Sequence, residues 1–163
     1  GPDWIIPALP LHLAAEWCLS KQKADRFSRI QLTAEIKTLL PNPMEASNGD
    51  IYVSHADFRC PGDCPEPRDI CTVTQKPRKR NMFEVLTDVK MPAFQSLVIR
   101  SHQLGPGIGG YRPVMLFDLL EQVQQARSNL LVSTACRCHG VVTGIHQIMQ
   151  ADSRKKQHNS NKL

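Results

Sequence analysis

The clearest hydrophobic pattern in the chain lies at residues 113–126, where Met115, Leu116, Leu119, Leu120 and Val123 recur at helical spacing and predict one buried face. The short apolar runs Leu97-Val98-Ile99 before it and Leu130-Leu131-Val132 after it have the length and composition of buried strands. Together they form a β-loop-α-β unit, which implies two parallel strands joined by a right-handed crossover. Upstream, Trp4-Ile5-Ile6 looks like a strand end feeding a helix over 12–20, with Leu13, Trp17 and Ser20 on one face. Residues 28–40 mix the two periods: Ile30, Leu32, Ala34 and Ile36 alternate, whereas Ile36, Leu39 and Leu40 have helical spacing. Asn48-Gly49-Asp50 is a turn signal, Ile51-Tyr52-Val53 a short strand and 82–87 a short helix.

These elements predict an α/β fold: a mostly parallel, Rossmann-like sheet with flanking helices, forming one domain over residues 1–151. A strand at Trp4 with nothing before it also fits the C-terminal part of a longer protein. The polar stretch 152–163 is expected to be a disordered tail.

Residues 55–80 break the pattern. They contain Pro61, Pro65, Pro67 and Pro77 and show no periodicity. A structureless stretch of that length inside a compact domain has to be held by something other than a hydrophobic core. Five of the six cysteines fall here or in a second tight group. Cys60, Cys64 and Cys71 stand at spacings x3 and x6, and Cys136-Arg137-Cys138-His139 supplies the remaining two with a histidine. Cys18 stands alone in a helical pattern. Grouped thiols beside proline and histidine suit metal ligation better than a disulfide framework, although free thiols with occasional disulfides would also account for the count.

Three thiolates require a fourth ligand, for which Cys138 or His139 is the natural candidate and Cys136 the other. Zinc takes four sulfur or nitrogen ligands in a tetrahedron and is the leading occupant. A [4Fe-4S] cluster, held by four cysteines, is the alternative. The x3 spacing lacks the x2 knuckle of common zinc ribbons, and Arg59, Arg68 and Arg137 would offset thiolate charge. Covalent haem is excluded, because Ala135 stands where C-x-x-C-H needs its first cysteine, and no thioredoxin-like C-x-x-C occurs.

In a parallel sheet, ligands gather at the carboxyl ends of the strands. The strands ending at Val53, Ile99 and Val132 lead respectively to His55 and Cys60, to His102 and the glycine loop, and to Cys136, Cys138 and His139. All candidate ligands would then emerge at one edge if these strands are parallel neighbours. His102 is the candidate acid or base there. Gly105, Gly107, Gly109 and Gly110, between a strand and a helix, could cradle a phosphate or a nucleotide, or simply form a turn that needs positive φ.

The charge and composition set the remaining bounds. A net charge of +5 arises partly from Lys76-Pro77-Arg78-Lys79-Arg80 and Arg154-Lys155-Lys156, runs that suit a solvated surface or, less directly, nucleic acid. Few aromatics accompany the first run, so base stacking is poorly supported. No apolar run reaches the roughly 18 residues of a membrane span, and no export signal is present, which makes the cytoplasm the expected compartment. Three functions follow in order: a metal-binding domain with redox or Lewis-acid chemistry open to it and a small anion as partner; a nucleotide-binding domain with a structural metal; and a nucleic-acid-binding module.

Overall fold

The strand that organises the protein is β8 (His139–Gln147), a Gly-Val-Val-Thr-Gly-Ile stretch flanked by polar residues that carries little alternation. In the computed structural model, described over residues 1–23 and 25–148, β8 lies at the centre of a six-stranded sheet. The order is β2 (Met44–Glu45), β3 (Ile51–Ser54), β8, β7 (Asn129–Ala135) and β4 (Phe94–Arg100), and β1 (Phe27–Ile30) also pairs with β8. β3 takes the first half of one edge of β8, with Ser54 opposite His139, and β1 takes the second half, with Ile30 opposite Gly144.

This topology corrects the expected fold class. Only β4 and β7 pair in parallel, and every other pairing in the sheet is antiparallel, so the sheet is mixed and not Rossmann-like. The physical reason is the tight turn at residues 136–138, which folds β8 straight back beside β7. A chain reversal of that kind can only produce an antiparallel pair. The β4–helix–β7 unit is nevertheless present, its helix being α4 (Pro113–Gln125).

Helices cover both faces. Because successive strand residues point to opposite sides, Leu130, Val132, Leu97, Ile99 and Ile145 face α1 (Leu13–Ser20) and α4, which contribute Ala14, Ala15, Cys18, Leu116, Leu119 and Val123. Leu131, Ala135 and Val142 face the other way, against Ile36 of α2 (Ala34–Thr38) and Met82 and Leu86 of α3 (Met82–Thr87). The ambiguous 28–40 stretch thus resolves into β1 followed by α2. The buried face of α1 is Ala14, Ala15 and Cys18, with Trp17 only partly buried. Trp4-Ile5-Ile6 is not a sheet strand, and Ile5 makes only an isolated bridge to Tyr111. The polar tail at 152–163, and with it the boundary at residue 151, lies outside the described residues.

The glycine-rich segment does not run directly into a helix. Gly107 instead takes the positive φ, +71°, of a turn. β5 (His102–Gly105) and β6 (Ile108–Gly110) make an antiparallel hairpin that pairs His102 with Gly110 and Gln103 with Gly109, and α4 begins only after Tyr111 and Arg112. Among the described residues, no helix is long and apolar enough to cross a membrane.

Candidate metal centre

β3, β7 and β4 run in one direction and β8 runs against them, so three carboxyl ends and the start of β8 share one edge of the sheet. β3 and β7 are not neighbours, because β8 separates them. Their ends are held together through the β7–β8 turn: His55 N–H donates to the Cys138 carbonyl at 2.9 Å and Ser101 N–H to the Ala135 carbonyl at 2.8 Å. The same turn receives α3, with Met82 N–H on the Arg137 carbonyl at 2.8 Å and Phe83 N–H on that of Cys136 at 3.3 Å. First-turn N–H groups lack partners within their own helix, so the turn carbonyls serve as the cap.

Over this edge lies a cavity of about 1130 Å³ whose walls carry Cys60, Cys64, Cys71, Cys136, Cys138 and His139, together with His55, Glu66 and Arg78. Every cysteine except the buried Cys18 is therefore on one cavity, and all six are free thiols. Among the described residues, no three His, Cys, Asp or Glu side chains meet around one point; the thiols stand along the walls.

Residues 55–80 are held almost entirely by polar contacts. Arg78, which the sequence places in a basic run, turns inward: its guanidinium donates to the carbonyls of Pro67 and Arg68 at 2.9 and 2.7 Å and to Cys138 Sγ at 2.9 Å. Arg80 is also engaged, with Asp88 at 2.6 Å. Two of the five residues of that run are thus spent within the molecule. The Glu66 carboxylate accepts from the Arg137 backbone N–H, and Gln103 Nε2 donates to the Cys64 carbonyl at 2.7 Å. At the hairpin tip Gly107 has φ +71°, and a Cβ there would stand 2.8 Å from the Gly62 carbonyl oxygen. Glycine at 107 thus lets the hairpin press backbone to backbone on the cysteine loop.

The thiols are mostly biased toward their protonated forms. Burial pushes Cys136 up to about 12, with the nearby Glu66 adding to the effect. Burial likewise raises Cys60, reinforced by Cys64 and Cys71, and raises Cys138 against the opposing pull of Arg78. Cys71 is the exception, lowered by hydrogen bonds from the Thr74 hydroxyl and from backbone N–H groups. Burial lowers His139, which Glu66 opposes and Arg78 assists. Cys136 Sγ accepts from the His139 backbone N–H at 3.3 Å, so this pair is bound locally.

His102 does not reach the cysteine cavity; it lies on a smaller adjoining one. The phosphate-cradle glycines are divided: Gly107 and Gly109 line the large cavity, Gly105 the small one, and Gly110 is buried. A residue the sequence gave little weight is tied to the cavity floor through Thr134. His12, buried at the start of α1, lies between Thr134 Oγ1 at 2.9 Å and Thr143 Oγ1 at 2.8 Å, and Thr134 lines the cavity floor. Thr143 donates to the fully buried Asp50, which pairs with Arg29 at 2.9 Å. Burial lowers His12 to about 4, so its ring is neutral. Burial alone would raise Asp50, but the hydrogen bonds from Arg29 and Thr143 outweigh it and hold the carboxylate below its ordinary range. A lone histidine in a first turn carries no sequence signal of such a network.

Known proteins bear on this chain in two ways. It is similar to an uncharacterized protein of Archaeoglobus fulgidus, 34% identical over 146 residues, a match that covers 88% of this chain and 65% of that protein. The chain therefore spans just under two thirds of the length of that relative. No solved structure matches it. Residues 14–148, which hold the sheet and every candidate ligand, match the AF_1314_C family, described as "Uncharacterized protein, C-terminal domain", and the chain belongs to that family.

Proposed function

We propose that the protein is a metal-binding domain whose centre is held by the thiolates of Cys60, Cys64, Cys71 and Cys138, with Cys136 and His139 beside them. One observation carries this reading: five cysteines from two segments more than sixty residues apart line one cavity, under a loop that has almost no hydrophobic anchorage. Arg78 on Cys138 Sγ supplies positive charge where a thiolate set would carry excess negative charge. The thiols that burial holds protonated would lose their protons to a bound metal, so binding should release acid. Six free thiols suit a reducing compartment such as the cytoplasm.

Zinc would be held by Cys60, Cys64, Cys71 and Cys138 as four sulfur ligands and would act as a Lewis acid or a structural pin. The breadth of the cavity favours the second reading, a [4Fe-4S] cluster, which needs far more room than one ion. Metal, iron and sulfide analysis of anaerobically purified protein, with a visible spectrum, separates them. Zinc near one equivalent without colour supports the first, and iron with sulfide and a brown absorbance the second. C64S and C138S should each lower the metal content. Absence of any metal, with full folding after chelation, would sink the proposal.

A further inference from the structure

A second cavity of about 340 Å³ adjoins the first and shares Glu66, Ser101 and Gln103 with it. Its polar wall is drawn from two segments: the consecutive Arg100, Ser101 and His102 where β4 passes into β5, and Arg137 in the β7–β8 turn. The Arg100 guanidinium stacks on the Phe83 ring at 4.5 Å, an arrangement that fixes its plane and leaves its N–H edges available. Trp4 meets the His102 imidazole in a T-shaped contact at 5.6 Å, and the Arg112 guanidinium lies over the Trp4 ring at 4.1 Å.

Arg112 is paired with Asp3 at 3.6 Å, but the two arginines on the cavity wall concentrate positive charge without such a partner. Among the described residues, no carboxylate lies within ion-pair distance of Arg100 or Arg137. Glu66, the acidic residue on the wall, is engaged by the Arg137 backbone N–H and the Cys136 thiol. Glu84, near Arg100, accepts from the Asn81 N–H at 2.8 Å in the α3 capping box. Burial, and then Arg100, Arg112 and Arg137, lower the His102 pKa, with Glu66 opposing. Holding like charges together costs stability, and an anion in the cavity would repay it.

We propose that this cavity binds the oxyanion group of a small molecule, a carboxylate or a phosphate, with the Arg100 and Arg137 guanidinium groups, the Ser101 hydroxyl and the His102 ring as donors. Guanidinium forks suit both groups, and the volume lies at the small end of ligand sites. The donors come from side chains, whereas the glycines beside them are engaged in hairpin pairing. At Gly109 a Cβ would stand 2.8 Å from Ser101 Oγ, so glycine there keeps the hydroxyl in place. The site requires no metal, and it places a bound anion across the Glu66–Gln103 wall from the thiols.

The test is an amide-shift NMR titration of the whole chain, with inorganic phosphate and malonate in separate arms at constant ionic strength. Saturable shifts at residues 100–103 and 137 are expected. Response to phosphate alone identifies a phosphoryl ligand, and response to malonate alone a carboxylate. The double variant R100Q/R137Q should weaken binding about tenfold or more, each single variant less, and K79Q in the basic run not at all. Metal content of the R100Q variant measured in the same way should be unchanged, which separates loss of this site from loss of the metal centre. No saturable response to either anion, or equal binding by the arginine variants, or shifts that follow Lys76 and Lys79 instead, would overturn the proposal.

Discussion

The sheet floor at residues 129–147 and the loop at residues 55–80 face each other across the cysteine cavity, and different forces hold them. The floor is packed on both sides, with Leu130, Leu131, Val132, Val142 and Ile145 all buried. Its polar groups are satisfied in a chain running from Thr134 through His12, Thr143 and Asp50 to Arg29. The loop has Ile70 and Val73 about half exposed and no residue in either core cluster. It is tied down by Arg78, Glu66 and a few backbone bonds. A segment with so few apolar contacts lies at the low end of local stability, and under the metal proposal the bound ion would order it.

That contrast can be broken most sharply at His12. H12A would leave Thr134 without its partner and open a void beneath the sheet, costing about 3 kcal/mol in denaturant unfolding. A value near zero would show that the floor does not depend on this network. Acid tests the same residue. The native ring stays neutral down to about 4, whereas the unfolded histidine takes its proton near 6.5. Protons therefore favour the unfolded state between those values, and stability should fall by about 3 kcal/mol as pH drops from 6.5 to 4. Asp50, held low by its partners, contributes in the same direction at lower pH. In H12A most of the fall across this window should vanish.

The smaller effects belong to the loop. G107A forces a side chain into positive φ and against Gly62, and should cost about 1–2 kcal/mol while loosening amide protection around Cys60 to Cys64. Unchanged protection there would mean that the hairpin does not brace the loop. I70S, on the exposed side of the loop, should alter stability by no more than about 0.5 kcal/mol. A larger loss would reveal hydrophobic anchorage.

The same contrast explains what the sequence made legible. The two helices flanking the site are readable from local signals: Glu84 completes a capping box at Asn81, and Pro113 starts α4. β8 was hidden because a strand buried on both faces, with Gly140 and Gly144 inside it, shows neither alternation nor a long apolar run. Missing it turned a mixed sheet into an expected parallel one. Yet the cysteine groups still share one edge, because β3, β7 and β4 keep a common direction around the reversed β8. Arg78 reads as one cation in a surface run, and only the folded loop reveals that it points at Cys138. His12 is likewise brought into place by tertiary contacts between distant segments, as is Arg137, which joins Arg100 and His102 on one cavity.

If a bound metal orders the loop while packing orders the floor, the two should respond differently to metal removal. Hydrogen exchange on anaerobically purified, metal-loaded protein, before and after chelation, tests it most directly. Amides in residues 55–80 should lose protection on chelation while those of β7 and β8 keep theirs. Unchanged loop protection after complete metal removal, or collapse of floor and loop together, would contradict it.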